Sequence, residues 1–431
     1  MRDKLFLQQK ALTKIQATII AAIILVAAIA GTATYYLTLP STSPAPGTVE
    51  VLIGGLFSTT GSMAIYGLEM KTSAEIAIDH VNAYLEKADS IYRFKMVSAD
   101  TGNTAEGSLK ALTSLVETKG VKAITGPGCS VEVGGIKSYC DANKIVSVAI
   151  SSSDAYCIPD YIFRPFMTNH LAAPPLARLI WKEGITHLAV IYRDDAFGTS
   201  LFEAVKDEFE ALGGDVQGVK YMIDLPDYAS EVAQLSSIVA GIGDYEHTGV
   251  VHIVFETDGV NIYSHARIDS VLTKVRWFGE HDLKSSAFMP PAAPAEIAEF
   301  RLTVKEIGIY PINPVTDVSM KYLEEYKKRT GEYPVSYGPN QYDNTYILCL
   351  ALLATGGKSG EPLKKVVPDV CARYYGATGS KILDENGDLA STDVGIWRVA
   401  KKDGEYYYEF FEYYSATTKS FSPWVEGAFR A

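Results

Sequence analysis

Two groups of serines in this sequence carry chemistry that helix and strand formation alone does not require. "GPGCS" (Gly126–Ser130) follows an apolar run and opens a helical one, with Ser130 placed as the helix N-cap. "SSS" (Ser151–Ser153) ends the next apolar run. A serine hydroxyl beside the free amides of a helix start is a ready anion site. Ordinary capping and turn chemistry explains any one serine equally well. Two clusters at the carboxyl ends of adjacent strands stand where open α/β sheets bind ligands, and together they point to a carboxylate. Further along, "RDDAFG" (Arg193–Gly198), "VFETDG" (Val254–Gly259) and "GEHDLKS" (Gly279–Ser285) are strand-end loops of the same kind. They offer the acids Glu256, Glu280 and Asp282 and the aromatics Phe197 and Phe255. An anion site facing acids suits a zwitterion.

Enzyme signatures fail on inspection. "GGKS" (Gly356–Ser359) has Leu352 where a phosphate loop needs its first glycine, and it follows a helix instead of a strand. "DENGDL" (Asp384–Leu389) lacks the sixth-position glycine of a calcium loop and reads as an Asp/Asn/Gly turn. "GCSVE" has Glu132 where a nucleophile elbow needs glycine. The histidines at 80, 170, 187, 247, 252, 265 and 281 show no zinc-ligand spacing, so no metal and no cofactor is expected.

The elements that must position these loops alternate from Val49 onward. "VEVLIGGLF", "RFKMVSA", "VKAITG" and "IVSVAI" read as strands separated by helices over 66–87, 104–119 and 131–143. After "YIFRPF" the alternation restarts with helices over 171–183, 201–212, 228–240 and 259–272 between the strands "HLAVIY", "VQGVKYMI", "GVVHIVFE" and "VRWFGE". Strands alternating with helices of this length predict parallel sheets covered on both faces, here as two α/β lobes. Three more helices (318–329, 342–354, 363–375) follow, then a hairpin of "VGIWRVA" and "EYYYEFFEYY" turned at "KKDG".

Ahead of these lobes, residues 15–39 are almost wholly apolar and carry no charge. A helix of that length rises roughly 37 Å, enough to cross a bilayer core of about 30 Å. The tail of residues 1–14 holds four bases against one acid, which keeps it cytoplasmic. A retained anchor with residues 40–48 as an extended tether is expected; a cleaved secretory signal is the alternative. Either places the remainder outside the cell membrane. The 431-residue chain has a globular composition, 47% apolar and 21% charged. Beyond residue 48 there are 35 basic residues against 50 acidic, a net of −15 that repels phosphate backbones and argues against nucleic acid as a partner.

The stretches "GLFSTTGSMAIYGLEMKTSAEIAIDHVN", "VKAITGPGCSVEV", "DYIFRPF", "HLAVIYRDDAFGTSLFEAVKDEFEALGGDV", "RWFGEHDLKSSAF" and "DENGDLASTDVGIWRV" together resemble the type 1 extracytoplasmic solute-binding proteins. The resemblance is to the leucine/isoleucine/valine-binding branch of ABC transporter receptors, and it runs in order over residues 49–399. It implies two Rossmann-like lobes joined by three hinge crossings, near residues 163–166, 287–292 and 384–392. Lobe 1 is then 49–163 with 293–385, and lobe 2 is 164–292 with 386–431. It also implies capture of an amino acid by lobe closure, with ABC permease subunits as membrane partners. Carried over to this sequence, Ser130 and Ser151–Ser153 hold the ligand carboxylate and Tyr66 supplies an aromatic from the first loop. Phe197 stands where the family has a tyrosine, and the next aromatic falls near Phe255 or Glu256. The family's ammonium-receiving acid aligns with His281, leaving Glu280 or Asp282 for that role. "GSMAIY" is also similar to urea and short-amide receptors, which keeps those solutes open. A ligand-sensing ectodomain shares the fold, but with 14 residues before the apolar segment it would need a separate signalling partner.

An oxidising exterior should pair cysteines. Cys349 and Cys371 lie on consecutive helices joined by "TGGKSGEP", whereas Cys129 and Cys157 both follow strand carboxyl ends. Cys140 ends a helix at the opposite edge. The expected bonds are Cys129–Cys157 and Cys349–Cys371, with Cys140 free.

Overall fold

The computed structural model describes residues 47–61 and 63–425. The basic tail, the apolar segment 15–39 and the tether up to residue 46 lie outside the described residues. Among those described, no helix is long and apolar enough to cross a membrane.

The first run of elements is β1 (Val49–Phe57), α1 (Ala64–Lys87), β2 (Tyr92–Asp100), α2 (Ala105–Lys119), β3 (Ala123–Thr125), α3 (Ser130–Asn143), β4 (Val146–Val148) and β5 (Ile162–Phe163). Its sheet has the order β2-β1-β3-β4-β5, parallel from β1 through β3 and β4 to β5. Local chemistry sets the helix ends. Thr104 accepts a hydrogen bond from Gly107 N to cap α2, and Gly120 stops it in the left-handed conformation (φ 70°). A Cβ on Gly67 would stand 1.9 Å from Ser58 O, so only glycine lets α1 pack onto the loop after β1.

The second run is α4 (Asn169–Lys182), β6 (His187–Arg193), α5 (Ala196–Ala211), β7 (Asp215–Tyr221), α6 (Ala229–Ile242), β8 (Thr248–Ile253), α7 (Glu256–Ala266), β9 (Arg276–Gly279), α8 (Ala295–Thr303) and β10 (Ile307–Pro311). Then α9 (Asp317–Thr330), α10 (Gly338–Ala354) and α11 (Glu361–Cys371) return to the first lobe. There Ile347, Leu348, Leu352, Leu363 and Val367 share one core with Ile53, Leu56, Ile124 and Val146. The short pair β11 (Tyr375–Gly376) and β12 (Gly379–Ser380) precedes β13 (Val394–Lys402), β14 (Glu405–Ser415) and β15 (Ser420–Pro423). The second sheet runs β15-β14-β13-β10-β9-β8-β6-β7. Its β10, β9, β8, β6 and β7 are parallel, and β13 to β15 add an antiparallel edge. The β13–β14 hairpin turns at Asp403 and Gly404, both with positive φ (52° and 89°), as "KKDG" predicts.

The second crossing differs from expectation. Residues 293–311 do not belong to the first lobe: β10 pairs with β9 and β13, so the chain crosses between Pro311 and Asp317 instead of at 287–292. Trp397 explains the placement. Its ring lies over Gly308, where a Cβ would stand 2.4 Å from Cζ2, and its indole N–H donates to Ile309 O (2.9 Å).

The first and third crossings are tied together. Arg164 and Asp388 are both fully buried and form a two-pronged ion pair, with Nη2 to Oδ2 at 3.0 Å. Backbone bonds join Arg164 N to Gly387 O (2.8 Å) and Leu389 N to Arg164 O (3.0 Å). Asp384 Oδ1 accepts from Asn386 N and Asp388 N (both 2.9 Å), so "DENGDL" is the turn its residue types suggest.

The cysteine pairing is also corrected: Cys129, Cys140, Cys157, Cys349 and Cys371 are all free thiols. The Cys129 thiol is turned to Asn103 Oδ1 (3.0 Å), whereas that of Cys157 faces Asp154 and Asp388. Cys349 and Cys371 sit in the same apolar core, where burial pushes their thiols up, that of Cys371 to about 12.

Candidate functional site

In the first lobe, β3 and β4 deliver the two serine groups to one place. Ser130 is the first residue of α3, with Cys129 at the N-cap, so Ser130 is not the cap its spacing suggests. Its hydroxyl is engaged elsewhere: Ser151 Oγ donates to it (3.1 Å), and so does Ser153 N (3.2 Å). Ser153 Oγ is buried without a partner, an unusual state for a hydroxyl. Ser152 O accepts from Asn169 N (2.7 Å), linking this loop to the start of α4. Glu132, fully buried, fixes the whole arrangement by accepting from Ser58 Oγ, Thr101 Oγ1 and Gly128 N.

In the second lobe, Phe197 enters from the first turn of α5 and Phe255 from the N-cap of α7. Their rings stack at 5.3 Å and 3°. The Arg193 guanidinium lies 4.0 Å over Phe255 and pairs with Asp195 (2.8 Å) and Asp258 (2.7 Å). The candidate acids Glu256, Glu280 and Asp282 are all buried. Glu256 accepts from Ser285 Oγ (3.3 Å), and burial pushes its carboxyl up to about 8. Glu280 accepts from Asp282 N through Oε2 (2.7 Å), while its Oε1 has no partner. Burial first, and then Asp282 and Glu256, push Glu280 well above the carboxylate range. Asp282 is raised by burial too, against a hydrogen bond from Tyr337 OH. His281 is lowered by the same burial.

A chain of rings crosses from lobe to lobe. Tyr66 meets Tyr337 edge-on at 5.0 Å, and Tyr337 meets Phe166 at 5.8 Å. Phe166 meets His281 at 5.7 Å, and His281 meets Phe197 at 6.0 Å. Tyr66, Tyr337, Phe166, His281 and Phe197 therefore form one buried run of rings, with Phe255 stacked on Phe197 and Glu280 and Asp282 flanking His281. The serine loop is joined to it through Asn169, which bonds both Ser152 O and Phe197 O. A space of about 10 Å³ remains beside Phe166, His281 and Tyr337, enough for about one water. Glu256 joins this site through its electrostatic contact with Glu280 and Asp282.

Tyr337, Phe166, Arg193 and Asn169 are members that the sequence did not single out. Tyr337 is set by Glu69, a buried carboxyl that accepts from Val335 N (2.7 Å), Ser336 N and Gly338 N. Burial raises Glu69 to about 7 against those bonds. Asn169 donates to Phe197 O (3.1 Å) and leaves its Oδ1 buried and unpaired. No motif marks either residue; Phe166 was visible only as part of "YIFRPF". The loop that carries the acids is held from behind. Arg301 Nη2 donates to Leu283 O (2.9 Å), and Tyr408 OH lies 2.9 Å from Leu283 O and 2.8 Å from Ser285 O.

Glu280, His281 and Asp282 present three ligand atoms within 4.8 Å, a group able to hold a metal ion. Full burial between Phe166 and Phe197 suits them better to a ligand's donors than to a hydrated cation. The site has an acceptor-rich wall in one lobe and a hydroxyl-lined wall in the other. Ser153 Oγ, Asn169 Oδ1, Glu280 Oε1 and His281 Nδ1 are buried there without a hydrogen-bond partner.

A family profile described as periplasmic binding protein matches residues 50–405. An uncharacterized protein of Methanocaldococcus jannaschii is 27% identical over 374 residues, covering 81% of this chain and 87% of that one. A Leu/Ile/Val-binding protein homolog of Brucella suis is 21% identical over 369 residues, covering 84% and 90%. Among solved structures, a leucine binding protein, LivK, of Thermotoga maritima superposes with a TM-score of 0.70 at 17% identity, covering 85% of this chain and 99% of that one. The solute binding protein of an ABC transporter from Rhodopseudomonas palustris, in complex with 3,4-dihydroxybenzoic acid, gives the same TM-score and identity, covering 85% and 98%. These similarities cover both lobes and share their fold.

Proposed function

The chain belongs to the periplasmic binding protein family, whose members are solute receptors and not enzymes, and from that premise we propose that it captures an amino acid, branched-chain or related, for an ABC importer. The observation that carries this reading is a buried hydroxyl loop in one lobe and buried acids with an unpaired oxygen in the other, joined by the ring chain. Ser130, whose hydroxyl accepts from Ser151, and Ser153, whose hydroxyl is unpaired, offer hydrogen bonds to a carboxylate together with the first amides of α3. Across the cleft, Glu280 and Asp282 offer acceptors to an ammonium, and the ring chain offers apolar surface to the side chain. Specificity follows from burial. A solute lacking either charged end leaves Ser153 Oγ or Glu280 Oε1 unpaired in a dry site, at a cost of about 1–3 kcal/mol each, more for the charged group.

Capture proceeds by rotation of the lobes about the crossings, with the Arg164–Asp388 pair as a fixed point between two of them. The solute joins the serine wall first, and closure brings the acids and rings over it. Permease subunits in the membrane are the partners. The segment 15–39, retained as an anchor, would hold the receptor on the outer face of the cytoplasmic membrane. A second reading is favoured by the ring chain: a solute with a flat body, such as an aromatic carboxylate, would lie between Tyr66, Phe166 and Phe197.

A thermal-shift screen followed by calorimetry over amino acids, short amides, urea and aromatic acids tests both readings. Stabilisation by one or a few α-amino acids, lost when either the carboxylate or the ammonium is blocked, is the expected result. Binding of benzoates alone would replace the first reading by the second. Silence toward amino acids and aromatic acids, with a response to amides, would remove both.

A further inference from the structure

Outside the cleft, a second set of side chains converges where the chain first crosses between lobes. Asp154 and Cys157 belong to the loop between β4 and β5, in the first lobe; His170 is in the first turn of α4, which packs in the second. One nitrogen, one sulfur and one carboxylate oxygen of these three residues lie within 4.8 Å of one another. His170 Nδ1 is 2.8 Å from Asp154 Oδ1, and Cys157 Sγ is 3.9 Å from the same oxygen. In a tetrahedral zinc site, bonds of about 2.0–2.3 Å give ligand-to-ligand edges of about 3.3–3.6 Å. Those two distances lie on either side of such an edge, so the Asp154 oxygen stands within reach of both partners, and the third edge, nitrogen to sulfur, is no longer than 4.8 Å.

We propose that Asp154, Cys157 and His170 form a binding site for a borderline divalent metal ion of the zinc class, with one coordination position left to water. Several features support the site besides the three donors. Thr168 Oγ1 lies 3.2 Å from both His170 ring nitrogens, against the edge of the ring between them. His170 N donates to Asp154 Oδ1 (3.0 Å), and Asp154 N donates to Ser200 Oγ (3.0 Å), so Asp154 is held by two bonds to the second lobe. The site opens onto a groove of about 560 Å³ whose walls include Glu203, Asp207 and Glu208. Three acids on one groove raise the local concentration of cations without themselves being ligands. Sulfur and imidazole donors select zinc-class ions over magnesium and calcium, which need mostly oxygen. Sequence spacing gave no warning, because the donors stand at 154, 157 and 170 and do not form a recognised pattern.

The alternative is a plain Asp154–His170 ion pair with a bystander thiol. The two are separated by titrating the full-length protein, stripped with a chelator, with Zn²⁺ in a calorimeter and with Co²⁺ in a spectrophotometer. The site predicts one equivalent of Zn²⁺ per chain, with little response to Mg²⁺ or Ca²⁺. Cys157→Ser, His170→Ala and Asp154→Asn should each weaken Zn²⁺ binding ~10-fold or more, the range lost even when outer partners of metal ligands are removed. The Co²⁺ adduct should show thiolate-to-cobalt charge-transfer absorption that Cys157→Ser abolishes. Far-ultraviolet circular dichroism and amino-acid titration of each variant verify that fold and cleft remain, so a lost metal signal cannot be a lost structure. Absence of stoichiometric Zn²⁺ binding overturns the proposal. Zn²⁺ binding unchanged in all three variants overturns it equally, because the ion then sits elsewhere.

Discussion

Replacing Glu280 by glutamine keeps the size of the side chain and removes the carboxyl that an arriving ammonium would ionise. Glu280 is fully buried, with one oxygen engaged by Asp282 N and the other without a partner. A charge-assisted bond to a ligand ammonium contributes about 1.5–3 kcal/mol. Breaking one member of a buried charged pair costs about 2–5 kcal/mol. Glutamine still offers one acceptor oxygen, so the expected loss is in the lower part of that range, ~2–3 kcal/mol, a Kd raised about 30–160-fold. Calorimetry with the tightest-binding amino acid measures it. The unliganded protein should respond in the opposite direction. Glu280 is raised in the folded state by burial, then by Asp282 and Glu256, so the folded chain keeps a proton that the unfolded chain gives up. Where the unfolded state binds fewer protons, stability falls as pH rises. For the wild type that fall begins near the ordinary glutamate value of about 4.3 and continues toward the raised folded value. Glu280→Gln should therefore melt higher than wild type at neutral pH and show a flatter pH dependence. An unchanged Kd for Glu280→Gln, together with an unchanged Kd for Asp282→Asn, would refute the zwitterion reading. A loss confined to Asp282→Asn would move the ammonium to that residue.

Ser130→Ala combined with Ser153→Ala removes two hydroxyls from the carboxylate wall, and affinity for the solute should fall by several kcal/mol at about 1.5–3 per bond, read by calorimetry. Tyr408→Phe removes the hydroxyl that lies on Leu283 O and Ser285 O and accepts from Arg301 Nη1 (2.7 Å). About 1–2 kcal/mol of stability should go in denaturant melts, and solute affinity should drop because the acid loop loosens. Arg164→Met leaves Asp388 buried and unpaired, at about 3–5 kcal/mol, seen as a lower denaturation midpoint; adding Asp388→Leu should recover most of it. If residues 15–39 are a retained anchor, the native protein sediments with membranes and its N-terminus lies near residue 1; an N-terminus after residue 30 would show a cleaved signal instead.

The strand–helix alternation was legible because each element is long enough to show its own apolar period, and parallel sheets follow from that alternation. Strand β10 was missed for a tertiary reason. "IGIYP" is short and carries Gly308, whose missing side chain makes room for Trp397, about ninety residues later in the chain. The strand-end rule located the loops of Ser130, Ser151–Ser153, Phe197, Phe255, Glu256, Glu280 and Asp282, because topology alone fixes which edge of a sheet those loops occupy. Topology does not fix which way a side chain points. Cys129 and Cys157 share an edge, yet one thiol faces Asn103 and the other faces Asp154 and Asp388, so proximity of loops did not become a bond. Nor does topology say what the returning segments bring. Tyr337 arrives from the third block of helices and Phe166 from the crossing itself, and both meet the cleft only once the lobes are assembled. The rings that join the two walls are therefore the part of the site most dependent on the hinge. Opening the lobes separates Phe166 and Tyr337 from His281 and Phe197 and releases Ser152 O from Asn169 N, but leaves the bonds of Ser151 and Ser153 to Ser130, which lie within the first lobe. Solute contact with the serines should consequently survive any change that holds the lobes apart, whereas contact with the acids and rings should not.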